Sequence, residues 1–253
     1  MDKQELQALN VFERYALLEK MGMLADEERI GQPERPFEEW SEDDFSHVNE
    51  VFETWPYLSQ SDTGFNDVIA RFRHSFNLQD YMDMDQQEIL ETAAEALQNA
   101  LRDTYGADVP KIELVFERYP GRNGYYGGLR PDDKIQIDPD KFAIGSVEGS
   151  DFTGITSFVE LVMHESTHLM QRYWADQSDG TTEDYRLSAR ASMDFYEAVD
   201  GARKVGHREL YWNHPLEVQA RDFARELTHS ALMYELGASA HHLGHDEDTF
   251  TFV

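Results

Sequence analysis

His164-Glu165-Ser166-Thr167-His168, set within the stretch from Ile155 to Arg172, decides how this chain is read. The stretch contains neither proline nor glycine, and Phe158, Leu161, Val162 and Leu169 recur near helical spacing. That pattern predicts a largely buried helix with Asp151 or Thr153 as its cap. Positions four apart on a helix lie one above the other, so His164 and His168 face the same way with Glu165 beside them. Two imidazoles so placed can grip one ion, and the H-E-x-x-H spacing points to zinc with Glu165 as general base. Zinc in a catalytic site takes three protein ligands and leaves the fourth position to water, whose pKa falls to about 7. The plainer reading is a pair of core histidines bonded to backbone or solvent; a third ligand would separate the two.

The metzincin pattern requires glycine at 171 and histidine at 174, where this chain has Gln171 and Trp174, so that ligand set is excluded. A glutamate on a later helix is the other common solution. In Asn213-His214-Pro215-Leu216-Glu217 the first two residues can cap a helix, and Pro215 fits its first turn. Three and seven residues beyond Glu217 stand Ala220 and Ala224, small enough to let this helix approach the histidine helix closely. Glu217 is therefore the expected third ligand. It competes with readings as a helix-dipole partner or a solvated charge, and with His207, His214 and Asp222 as rival ligands. The same donor set would also suit cobalt or nickel.

A buried-helix H-E-x-x-H followed by a helix bearing E-x-x-A-x-x-F, here Glu217, Ala220 and Phe223, resembles the glutamate-zincin metallopeptidases. The resemblance is strongest to the compact intracellular ImmA/IrrE-type enzymes of bacterial stress and mobile-element regulation. Asn123 to Asp138, a tyrosine-glycine turn leading into alternating Ile135 and Ile137, resembles the strand that precedes the active helix in such enzymes. It covers roughly residues 110 to 240, and carries over His164, Glu165, His168 and Glu217. The chain departs from it in a longer connection between His168 and Glu217, which includes a helical stretch from Thr182 to about Lys204. The resemblance implies a zincin-like α+β fold, with a small sheet on the active helix and an edge strand that holds a peptide or protein substrate by its backbone.

With 50 acidic against 22 basic residues the formal charge is −28, which repels nucleic acid and anionic membranes. The acids are spread through helices such as Glu88 to Glu95, as on a solvated surface; a phosphate-mimicking patch that occupies a DNA-binding protein is the rival reading. No cysteine is present, so a cysteine-zinc site and a disulfide framework are both excluded. Met1 to Asn10 lacks the basic and apolar runs of a signal peptide, and no stretch approaches the ~20 apolar residues that span a bilayer. A soluble, cytoplasmic protein without nucleic-acid or membrane partners is expected.

Residues 1 to 105 read as a helical N-terminal region, with helices from Glu5 to Lys20 and from Asp85 to Tyr105, ahead of a zincin-like domain from 106 to 253. Between those helices Pro33, Pro36 and Pro56 suggest irregular turns docked by Trp40, Phe45, Phe52, Trp55 and Tyr57. Strands are expected at Ile112 to Phe116 and Lys134 to Asp138. In the long connection Tyr185, Arg186, Arg190, Phe195 and Tyr196 either wall the cleft or pack as an amphipathic helix. Tyr211, His207, His214 and Arg221 are candidates to steady an oxyanion. The His241 to His245 tail is not assigned metal, since it lies at a polar terminus. The expected activity is zinc-dependent peptide hydrolysis, through a zinc-bound water activated by Glu165. The rivals are an inactive zinc-stabilised interaction protein and an acidic DNA-mimic regulator.

Overall fold

The structure, a computed structural model, describes residues 3–23, 33, 35–55, 63–118, 127–144, 147, 150, 152–177 and 185–232. It is α+β. Five helices come first: α1 (Lys3–Gln7), α2 (Val11–Lys20), α3 (Glu42–Glu53), α4 (Thr63–Ser75) and α5 (Gln86–Tyr105). A small sheet follows, of β1 (Leu114–Phe116), β2 (Gly127–Leu129) and β3 (Ile135–Ile137). Four helices complete the described chain: α6 (Ile155–Gln177), α7 (Tyr185–Lys204), α8 (Arg208–Trp212) and α9 (Pro215–Leu232).

Local side-chain chemistry sets several of these boundaries. Asn10 and Glu13 form a reciprocal capping box, as do Ser41 and Asp44, and Asp85 caps α5 through the Gln87 N–H. The expected single helix from Glu5 to Lys20 is therefore broken at Asn10, whose side chain satisfies a new N-terminus. The segment read as irregular turns holds α3 and α4 as full helices. The apolar positions Phe45, Val48, Val51 and Phe52 give α3 its buried stripe. Trp40 and Trp55 are buried beside it, whereas Pro56 and Tyr57 lie outside the described residues. The histidine-bearing helix begins at the expected Ile155 but runs on to Gln177, and Asp151 lies outside the described residues.

Two cores result. One joins α4 and α5 to the sheet, α6 and α9 through Phe72, Leu97, Ile135, Phe158, Trp174 and Leu227. The other joins α1, α2 and α3 to α7 and α8 through Leu18, Phe52, Trp55, Phe195, Val199 and Leu210. Fully burying each such side chain contributes roughly 1.5–3 kcal/mol. Helix α7 thus packs on the N-terminal helices and also along α6. Among the described residues, no helix is long and apolar enough to cross a membrane.

The sheet order is β1-β3-β2, with β1 parallel and β2 antiparallel to the central β3. The expected strands shorten to Leu114–Phe116 and Ile135–Ile137. The Gly-Gly-Leu segment, read as part of a turn, is instead an edge strand. A Cβ on Gly127 would come 2.5 Å from the Gln136 carbonyl oxygen and 2.9 Å from Leu161 Cδ2, so only glycine lets β2 lie this close to β3 and α6. Strand β3 does not alternate between buried and exposed, because Gln136 is enclosed as well and donates its amide to the Glu117 carbonyl at 3.3 Å.

Candidate metal centre

Helix α6 sets His164 and His168 one turn apart, with their Nε2 atoms 3.0 Å from each other. Helix α9 packs along α6, and Ala220 and Ala224 are fully buried. This close approach carries Glu217, in the first turn of α9, to the histidines. Its Oε2 lies 3.5 Å from His164 Nε2 and its Oε1 lies 3.4 Å from His168 Nε2. Glu217 is 2 % exposed and sits where the helix dipole favours a negative charge. Among the described residues these three form the only cluster of three or more His, Asp or Glu side chains whose ligand atoms lie within 4.8 Å of one another.

This donor set fits zinc. Bonds of about 2.0–2.2 Å in tetrahedral arrangement separate ligand atoms by roughly 3.3–3.5 Å, close to the spacings seen here. Two imidazoles and one carboxylate are also a three-ligand catalytic set, which leaves one coordination position open.

The electrostatics of the site suit a cation. Burial opposes charge on His168, but the Glu217 carboxylate, its hydrogen bond and the Glu165 charge outweigh it and raise the imidazole to about 9. Burial also works against ionised Glu217, yet the two histidines hold it well below the usual carboxylate range. The Tyr196 hydroxyl, on α7, donates to Glu217 Oε1. The Tyr211 hydroxyl oxygen lies 3.4 Å from that of Tyr196. Burial first, and then the charge of Glu217, push both phenols above their ordinary range, so both remain protonated donors at neutral pH.

Glu165 lines a cleft with Leu161, His164, Tyr211, Trp212 and Glu217. Its Oε2 accepts the Leu129 N–H at 3.0 Å. The Arg130 N–H donates to the Lys134 carbonyl, toward β3. By the period of two along a strand, the polar backbone groups of Leu129 and Gly127 face the opposite side, and that side is the Glu165 side. A second, larger groove lies between α5 and β1, lined by Glu91, Gln98, Arg102 and Lys111, and contains none of the motif residues.

The rival ligands lie elsewhere. His207 stacks on Phe45 with centroids 3.4 Å apart and pairs with Glu209. His214 accepts the Leu216 N–H at 3.3 Å through Nδ1, and so caps α9 beneath the rings of Phe52 and Tyr196. Asp222 is exposed. Of the four candidate oxyanion donors, Tyr211 and Arg221 reach the cleft, but the Arg221 guanidinium lies 4.9 Å over the Trp212 ring and donates to the Trp212 carbonyl. The His241 to His245 tail and the side chains of Tyr185, Arg186 and Arg190 lie outside the described residues.

Tyr196, Gln171 and the Leu129 backbone are site components that the sequence reading left unassigned to the centre. Tyr196 was visible only as one of three aromatics, with Tyr185 and Phe195, singled out in the long connection. Its neighbour Phe195 points into the second core, so the connecting helix both packs and walls the site. Comparison with protein-family models, curated proteins and solved structures returns no match for this chain.

Proposed function

We propose that the chain is a zinc-dependent peptidase of the glutamate-zincin type, hydrolysing peptide bonds with Glu165 as general base. The observation that carries this reading is the position of Glu165. Its carboxylate accepts the Leu129 N–H of β2 and lines the same cleft as His164 and Glu217. A merely structural metal site has no need of a carboxylate and a tyrosine facing an open cleft, which favours the peptidase over an inactive zinc-stabilised interaction protein.

His164, His168 and Glu217 would hold the ion. When bound there, zinc supplies a Lewis acid that lowers the pKa of a water to about 7 and offsets charge growing on a carbonyl oxygen. An extended peptide would pair with the outward groups of Gly127 and with the Leu129 carbonyl, the Leu129 N–H being held by Glu165, a contact that reads backbone and so selects peptides over small molecules. Glu165 takes one proton from the attacking water as its oxygen bonds to the scissile carbon. It then delivers that proton to the leaving nitrogen as the C–N bond breaks. Tyr211, protonated and on the cleft wall, donates to the oxygen that gains charge.

A degenerate peptide library incubated with the full chain, with products read by mass spectrometry, tests the proposal. Cleavage that a chelator abolishes and added zinc restores is expected; zinc-loaded protein that cleaves nothing would overturn the reading. Within that activity, Tyr211→Phe is expected to lower kcat by about 10²–10³-fold, with KM and zinc content close to wild type. An unchanged kcat would remove Tyr211 from the role.

A further inference from the structure

Gln171 lies one helical turn beyond His168 on α6 and is fully buried. Its side-chain oxygen is 2.7 Å from His168 Nδ1. Its amide nitrogen donates to the Leu216 carbonyl at 2.9 Å and to Gln219 Oε1 at 2.7 Å. Those two partners are oxygens, which fixes the amide orientation: the nitrogen must face them and the oxygen must face the histidine. An amide oxygen only accepts, so the hydrogen of the contact to His168 belongs to Nδ1. In the neutral ring that a metal ion requires, Nε2 then carries the free lone pair, and Nε2 is the atom that faces His164 and Glu217.

We infer that Gln171 is the positioning residue of this centre, orienting the His168 ring and docking the turn of α9 that carries Glu217. One rigid amide reaches a ligand on one helix and the residue preceding a ligand on the other. The spacing between the two helices is thereby tied to the tautomer of the imidazole. At this position metzincins carry glycine, which has no side chain to do either. The inference rests on the metal-centre reading and is independent of peptide hydrolysis.

The test is zinc affinity of the full chain, by competition with a chromophoric chelator, for wild type, Gln171→Leu and Gln171→Glu. Alongside it, NMR follows the His168 Nδ1 proton of the zinc-loaded protein. Gln171→Leu is expected to bind zinc about 10–100-fold more weakly and to lose the hydrogen-bonded Nδ1 proton signal. Gln171→Glu keeps an acceptor for Nδ1–H, and Gln219, whose buried Nε2 has no hydrogen-bond partner among the described residues, can turn to donate to it. That variant is expected to keep the signal and recover part of the affinity. A merely space-filling Gln171 would produce neither the signal loss nor the rescue.

Gln171→Leu with wild-type affinity and an intact signal would overturn the inference, as would a folded Gln171→Glu that has lost the signal. If Gln171→Leu does not fold, the signal in Gln171→Glu decides alone. A wild type that takes up no zinc would overturn the centre and this inference together. Zinc uptake without peptide cleavage would overturn only the peptidase reading, since neither readout uses turnover.

Discussion

Glu165→Gln is expected to retain a full complement of zinc and to lose peptide hydrolysis by about 10²–10⁴-fold, the range that general acid–base catalysis contributes. The substitution is nearly isosteric, and the amide oxygen can still accept the Leu129 N–H that Glu165 now accepts at 3.0 Å. What it removes is the capacity to take a proton. The ligand cluster of His164, His168 and Glu217 is untouched, so any loss of metal would point to disrupted packing instead of disrupted chemistry. Paired measurement of kcat and zinc content on one preparation separates the two. Turnover at the wild-type rate would mean that another group is the base.

Glu217→Ala has the second large expected effect, on the metal itself. Loss of a group that merely supports a ligand costs roughly 10–100-fold in metal affinity, so loss of a ligand is expected to exceed about 100-fold. The residual site would be two histidines, with the Tyr196 hydroxyl deprived of its acceptor. The substituted position lies near the start of α9, where Ala220, Ala224 and Leu227 keep that helix packed on the core, so the fold is expected to survive. Chelator competition on the folded variant reads the affinity, and wild-type affinity would remove Glu217 from the ligand set.

The parts of this molecule that could be read from sequence are those where one residue type restricts the backbone or one spacing restricts a face. Pro215 set the start of α9, and the apolar spacing around the histidines set the start of α6 at Ile155. Ala220 and Ala224 pointed to a close crossing with the histidine helix, and the structure brings Glu217 to the histidines across that crossing. Strand β2 was not legible, because Gly127 and Gly128 carry no side chains from which to read a face. Its existence depends on what lies across from it, the Gln136 carbonyl and Leu161.

Helix α3 and the break before α2 did carry a local signal, in Ser41 to Asp44 and Asn10 to Glu13, that the tryptophans and prolines nearby obscured. Gln171 and Tyr196 were illegible for a different reason. Helical periodicity says which side chains share a face, but Gln171 meets Leu216 forty-five positions away and Tyr196 meets Glu217 across twenty-one. Only the assembled fold supplies those partners.

The most direct test of the central claim is anomalous diffraction at the zinc edge from crystals of the wild-type chain grown with zinc. An anomalous peak bonded to His164 Nε2, His168 Nε2 and a Glu217 oxygen, with an open side toward Glu165, is expected. No peak among these three residues, or zinc held only at other histidines, would contradict that claim.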